Sequence, residues 1–261
     1  MEKILDNFNR LINMTRAIAG TGLLAALILV SCGPRPNKPA ANSPFNLKAV
    51  AADRSATLSW QVNRSKNAPI SGYDIYLAQS PDDKGELYNS APYPGDTDGD
   101  ITHESIVIPR LDNGTRYYAY IKTVLTDGSL SKPSGTVTFM PLAQGYVDLT
   151  QNYTVIKSGF DFAAGKYTKV YDFDNDIYIY ATKTEAGISS PSRMHASLRK
   201  TLISVDGSPF ELTQPFMPGK VYTLKTADGG TVKLTLLKWK NETPAIEATF
   251  DYIYYPPGVS P

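Results

Sequence analysis

The stretch that decides the fold is Leu111-Asp112-Asn113-Gly114-Thr115-Arg116-Tyr117-Tyr118-Ala119-Tyr120-Ile121. A leucine, a polar turn and then a run of strand-forming aromatics is how one β-strand of a sandwich follows another. Just before it, Ile106 and Ile108 alternate ahead of Leu111. In Ile70-Ser71-Gly72-Tyr73-Asp74-Ile75-Tyr76-Leu77, residues Tyr73, Ile75 and Leu77 share one side. In Ala56-Thr57-Leu58-Ser59-Trp60-Gln61-Val62, residues Leu58, Trp60 and Val62 face one way while Ser59 and Gln61 face water. The period is two, as side chains on a strand require. Short alternating runs separated by turn residues extend from Pro44 to about Leu142, which predicts an antiparallel sandwich there.

Composition limits what such a protein does. The 261 residues are 42% hydrophobic and 20% charged, with 19 Gly and 19 Pro, as in a folded globular chain rather than a disordered or collagen-like one. Lys and Arg (26) against Asp and Glu (25) leave a formal charge of +1, too little to hold a nucleic-acid backbone. The length suits roughly two domains of about 100–150 residues. One Cys excludes an internal disulfide, and two His are few for a metal or triad enzyme. No G-x-S-x-G, H-E-x-x-H or G-x-x-x-x-G-K motif occurs, and nothing marks one acid pair as catalytic, so the chain reads as non-catalytic.

Three features of the first half resemble the fibronectin type III family over residues 44–142. They are Trp60 two residues after Leu58, the G-Y-x-I-Y strand from Gly72, and the L-x-x-G-T-x-Y pattern from Leu111 to Tyr117. The resemblance implies an Ig-like sandwich with Trp60 as core tryptophan. It also implies that Tyr117 forms a tyrosine corner, its hydroxyl bonded to nearby backbone. Ser131-Lys132-Pro133-Ser134 would be the turn into the final strand, and Trp60, Tyr73, Leu111 and Tyr117 would be core. No Arg-Gly-Asp tripeptide supports an integrin-type adhesive role. The pattern departs from the family in the long loop between Asn89 and Glu104. There Asp96, Asp98 and Asp100 have the 1-3-5 spacing of calcium loops, but Ile101 stands where a Gly belongs and Val107 where a bidentate Glu belongs. A solvated acidic turn is the expectation, with calcium the alternative.

The N-terminus reads as targeting sequence. Lys3, Arg10 and Arg16 precede the uncharged apolar stretch Ala17 to Ser31, too short for a comfortable membrane span of about 20 residues. Leu29-Val30-Ser31-Cys32-Gly33 resembles the bacterial lipobox. That implies a signal peptide over residues 1–31 and diacylation of Cys32, which becomes the N-terminus. Two or three acyl chains suffice for stable anchoring, at about 0.8 kcal/mol per buried methylene. The mature chain would carry 23 acidic and 23 basic groups. Residues 32–43, with Pro34, Pro36 and Pro39, are expected to form a tether, reaching roughly 30 Å at about 3.1 Å per residue.

Residues 143–261 are expected to form a second antiparallel β domain. Strands are predicted at 155–162, 167–173, 176–182, 198–205 and 245–255, with irregular connections at 163–164 and 185–197. The clearest hairpin joins Val221–Thr226 to Thr231–Leu236 through Ala227-Asp228-Gly229-Gly230, which supplies positive φ readily. This hairpin resembles the Y-x-L-K-T-x-D-G pattern of HmuY-like exported haem-binding lipoproteins. Haem binding in that family uses a His pair, whereas this half holds only His195, so no haem is expected. Ile177-Tyr178-Ile179-Tyr180 puts isoleucines on one face and tyrosines on the other, either as a central strand or as an aromatic ligand platform. Asp172, Asp174 and Asp176 alternate again, as a turn around Asn175 or as a second calcium candidate.

The whole predicts an all-β lipoprotein anchored at the outer membrane or cell surface, with no cofactor and no nucleic-acid partner. Its two β domains would contact an unidentified protein or glycan. The alternative is a small-ligand or glycan binder using the face around Tyr178 and Tyr180.

Overall fold

The computed structural model describes residues 42–64, 67–242 and 245–261, all within one compact unit, Pro39–Pro261. Cys32, the signal peptide and most of the tether lie outside the described residues. Asn42 and Ser43, assigned above to the tether, are already buried. The Asn42 amide donates to Asn63 O at 2.9 Å and its carboxamide to Ala68 O at 2.9 Å.

The first half is a sandwich of seven strands. One sheet has the order β1 (Pro44–Ala52), β2 (Ser55–Val62), β5 (His103–Pro109). The facing sheet has the order β4 (Glu86–Leu87), β3 (Ile70–Ala78), β6 (Tyr117–Leu125), β7 (Val137–Phe139). All pairings are antiparallel. Leu58, Trp60 and Val62 from one sheet meet Tyr73, Ile75, Ala119 and Ile121 from the other. Trp60 stands edge-on to Tyr73, centroids 5.0 Å apart at 73°, so one aromatic pair ties the two layers together. The Asp112 amide donates to Tyr117 Oη at 3.1 Å, which is the tyrosine corner. Gly114 adopts φ +78°, and a Cβ there would lie 2.8 Å from the Pro256 ring, so the L-x-x-G-T glycine is required twice over. Just before β7, the hydroxyls of Ser134 and Ser131 accept from the amides of Ile121 and Thr123, completing the edge of β6.

The second half stacks two five-stranded antiparallel sheets. One has the order β10 (Lys166–Thr168), β9 (Gly159–Asp161), β11 (Ile177–Ala181), β12 (Ala186–Ser189), β14 (Thr213–Pro215). The other has the order β13 (Leu202–Val205), β15 (Val221–Lys225), β16 (Thr231–Glu242), β17 (Ala245–Tyr255), β8 (Ala143–Thr150). Their shared core contains Phe160, Phe162, Ile177, Ile179, Leu224, Leu234 and Phe250, and it shares no residue with the core of the first half.

Several expected strands are shorter than predicted. Within 155–162, residues Ile156–Ser158 form a 3-10 turn because the Ser158 hydroxyl turns inward and accepts from the Val170 amide at 3.0 Å. The 167–173 strand stops at Thr168, where Asp172 Oδ2 accepts from the Lys169 amide at 2.7 Å. The strand within 198–205 begins only at Leu202. The stretch 185–197 is not irregular throughout, since it contains β12.

Candidate functional site

The first acidic cluster is a chain of loop turns. Asp96 Oδ1 accepts from the Asp98 amide, Asp98 Oδ1 from the Asp100 amide at 2.7 Å, and Asp100 Oδ1 from the Thr102 amide at 3.0 Å. The other oxygens point apart: Asp96 Oδ2 accepts from the Ser105 hydroxyl at 2.8 Å, and Asp100 Oδ2 meets His103 Nδ1 at 2.8 Å. The Thr102 hydroxyl and amide, with His103, hold the Asp100 carboxyl down at about 2. The loop is fastened below by buried Glu104, which accepts from Arg64 Nη2 at 2.8 Å, Tyr73 Oη at 3.2 Å and the Asp96 amide at 3.0 Å.

The second cluster separates in the same manner. Asp172 serves its own loop, Asp174 pairs with Lys166 at 2.5 Å on the surface, and Asp176 points inward. Among the described residues, no three His, Cys, Asp or Glu side chains converge on a metal-sized position.

Asp176 is the most unusual of these acids. It is 0% exposed, with Oδ2 accepting from the Phe162 amide at 2.9 Å and Oδ1 from Arg199 Nη1 at 3.1 Å. Burial pushes its carboxyl up to about 7, against the opposing pull of the Phe162 amide and Arg199. Beside it, the Asn175 carboxamide accepts from the Phe160 amide and donates to Val170 O. These two residues latch β9 to β11 and are structural. Asp228 follows a related pattern at the β15–β16 turn. Burial raises it, but the Thr226 and Tyr254 hydroxyls outweigh burial and leave its carboxyl low.

The tyrosine face is covered. Tyr178 is 6% exposed, edge-on to Tyr153 at 5.8 Å, and Tyr153 Oη donates to Ile179 O at 3.2 Å. Burial pushes the Tyr153 phenol up to about 12. Tyr180 is half-buried. The two tyrosines are therefore packing residues rather than an open platform. His195 lies exposed in the loop after a 3-10 turn, its Nδ1 at 2.6 Å from the Ser197 hydroxyl, and His103 is in the other half.

A different aromatic is exposed. On β16, residues Val232, Leu234 and Leu236 face the core, and Leu236 pairs with Phe250. The ladder then slips by one residue at Leu237, so that Trp239 pairs with buried Ala248 and Asn241 with buried Ile246. Residues opposite each other in an antiparallel ladder share a face, so this bulge turns Trp239 to the core side of the sheet. Phe216 packs against the indole, centroids 5.5 Å apart at 51°, yet Trp239 remains 38% exposed. It lines a cleft of about 300 Å³ with Phe216, Pro215, Ile246, Asn241 and the Thr182–Ala186 turn. A second concavity of about 310 Å³ also has Trp239 in its lining. The adjacent apolar pair Leu236-Leu237, which breaks the alternation, was the sequence signal for this site.

Residues 42–140 match the family model of the fibronectin type III domain, and the chain carries that domain there. Among solved structures, the chain is similar to the sixth type III domain of human fibronectin type III domain containing protein 3. That match is 17% identical, covers 41% of this chain and 91% of that one, and has a TM-score of 0.30. It is also similar to a fourth human FNIII domain, at 20% identity over 46% of this chain and 92% of that one, TM-score 0.29. An alpha-L-rhamnosidase from Dictyoglumus thermophilum is similar at 13% identity over 83% of this chain and 25% of that one, TM-score 0.32. No curated protein matches the chain in sequence.

Proposed function

We propose that this chain is an exported lipoprotein, anchored to a bacterial membrane through acylated Cys32, that acts as a non-catalytic contact protein. Its fibronectin type III domain serves as spacer and contact module, and its C-terminal half meets a protein or glycan partner. The observation that carries this is the type III domain at residues 42–140, a packing and contact module whose signature residues Trp60, Tyr73, Leu111 and Tyr117 are buried in its own core. The anchoring part rests on the apolar segment ending in Leu29-Val30-Ser31-Cys32. Metabolic labelling with an alkyne palmitate analogue tests it. Wild type should take up label and partition with membranes, whereas Cys32→Ala should do neither. An unlabelled wild type in a bacterial host refutes the anchor.

A further inference from the structure

Beyond this anchored contact role, and independently of the lipid, we propose that the Trp239 cleft binds a neutral saccharide. The cleft has an aromatic floor on a strand, set by the Leu237 bulge and supported by Phe216, Ala248 and Ile246. Such a floor is rigid, and the negative face of an indole suits the C–H face of a sugar ring.

The rim supplies the complementary half of that chemistry. Lys183 and Glu185 from the β11–β12 turn, and Asn241 from β16, line the cleft beside Trp239. Within the described residues none of these three side chains makes a hydrogen bond or ion pair to another residue. An ammonium only donates, a carboxylate only accepts and a carboxamide does both. Sugar hydroxyls, each donor and acceptor, can satisfy all three. An apolar peptide in the same place would bury these groups without partners, which is costly.

Charge and size narrow the ligand further. The cleft holds one Lys against one Glu. Nearly balanced charge favours a neutral ligand over a polyanion. A volume of about 300 Å³ is at the small end of ligand sites, enough for a short piece of a chain.

The test titrates the full chain with cellohexaose, maltohexaose, xylohexaose and mannohexaose, and with polygalacturonate as an acidic comparison, by calorimetry in ~0.15 M salt. At least one neutral hexasaccharide should bind with Kd of about 1 mM or tighter. Trp239→Ala should weaken it by about tenfold or more, as loss of an aromatic anchor does, while Trp239→Phe keeps most of the affinity. Asn241→Ala should weaken it several-fold. If Trp239→Ala loses its native circular dichroism, Trp239→Phe and Asn241→Ala carry the test. The proposal is overturned if no neutral hexasaccharide binds by about 10 mM, where a millimolar site would be nearly full. It is equally overturned if only polygalacturonate binds, or if binding is indifferent to these substitutions. Palmitate labelling of Cys32 is unaffected by any of these outcomes, so the two proposals fail separately.

Discussion

The buried carboxyl of Asp176 makes stability depend on pH in an unusual direction. Its ordinary value of 3.8 rises to about 7 in the folded chain, so the folded state holds the proton over a range where the unfolded state has released it. The stability that Asp176 contributes is therefore greatest at about pH 4 and below and is lost as pH rises toward 7. A shift of about three units corresponds to about 4 kcal/mol in all, and about 2.5 kcal/mol of it falls between pH 5 and 8. Asp176→Asn removes the titration. Its carboxamide presents one acceptor oxygen to the Phe162 amide and Arg199, so the variant starts lower by about 1–3 kcal/mol at pH 5, a gap that closes as pH rises. The slope carries the test. Urea denaturation at pH 5, 6, 7 and 8, followed by far-UV circular dichroism, should show wild type losing about 2.5 kcal/mol more than the variant across that range. Parallel stability curves would show that Asp176 is ionised throughout and that Arg199 compensates its burial fully.

Other outcomes follow from the same contacts. Trp60→Ala in a fragment spanning 42–142 should cost about 3–5 kcal/mol, because the indole fills the centre of the sandwich against Tyr73. A thermal melt left unchanged, or a wild-type fragment that does not melt cooperatively, would undo the claim that this half folds on its own core. EDTA should leave melting of the full chain within about a degree, since a calcium site saturated a hundredfold would contribute about 2.7 kcal/mol. A drop of several degrees, reversed by calcium, would return Asp96–Asp100 or Asp172–Asp176 to consideration as a metal site.

The first half was legible because its code is local. Leu58, Trp60 and Val62 alternate on one strand, and the Leu111–Tyr117 turn places its own tyrosine. The second half hides its strands where one backbone approaches another. At Gly187 a Cβ would come 2.2 Å from Gln214 O, so β12 needs a residue of poor strand propensity for β14 to pack against it. β8 begins at Ala143-Gln144-Gly145, which looks like a break between domains, yet it pairs from Ala143 to Thr150 with β17. The Trp239 cleft escaped notice because a bulge reverses which residues face inward, and alternation alone extrapolates straight through it. The covered tyrosines were visible as a strand, but the ring that covers them belongs to Tyr153, 25 residues upstream of Tyr178.

The pairing of β8 with β17 also sets a schedule for synthesis. β8 is the first strand of its half to leave the ribosome, and within its sheet it touches only β17, the last. About 100 residues must be translated between the two, some 5–20 seconds at bacterial-to-eukaryotic elongation rates. For that interval the inward residues Val147 and Leu149 wait with their strand unmatched, and the most sequence-distant contacts of the half close last. A nascent chain halted before β17 would expose two raw edges at once, β16 and β8, each able to template another chain. Closure of this sheet thus falls to the eleven-residue strand β17.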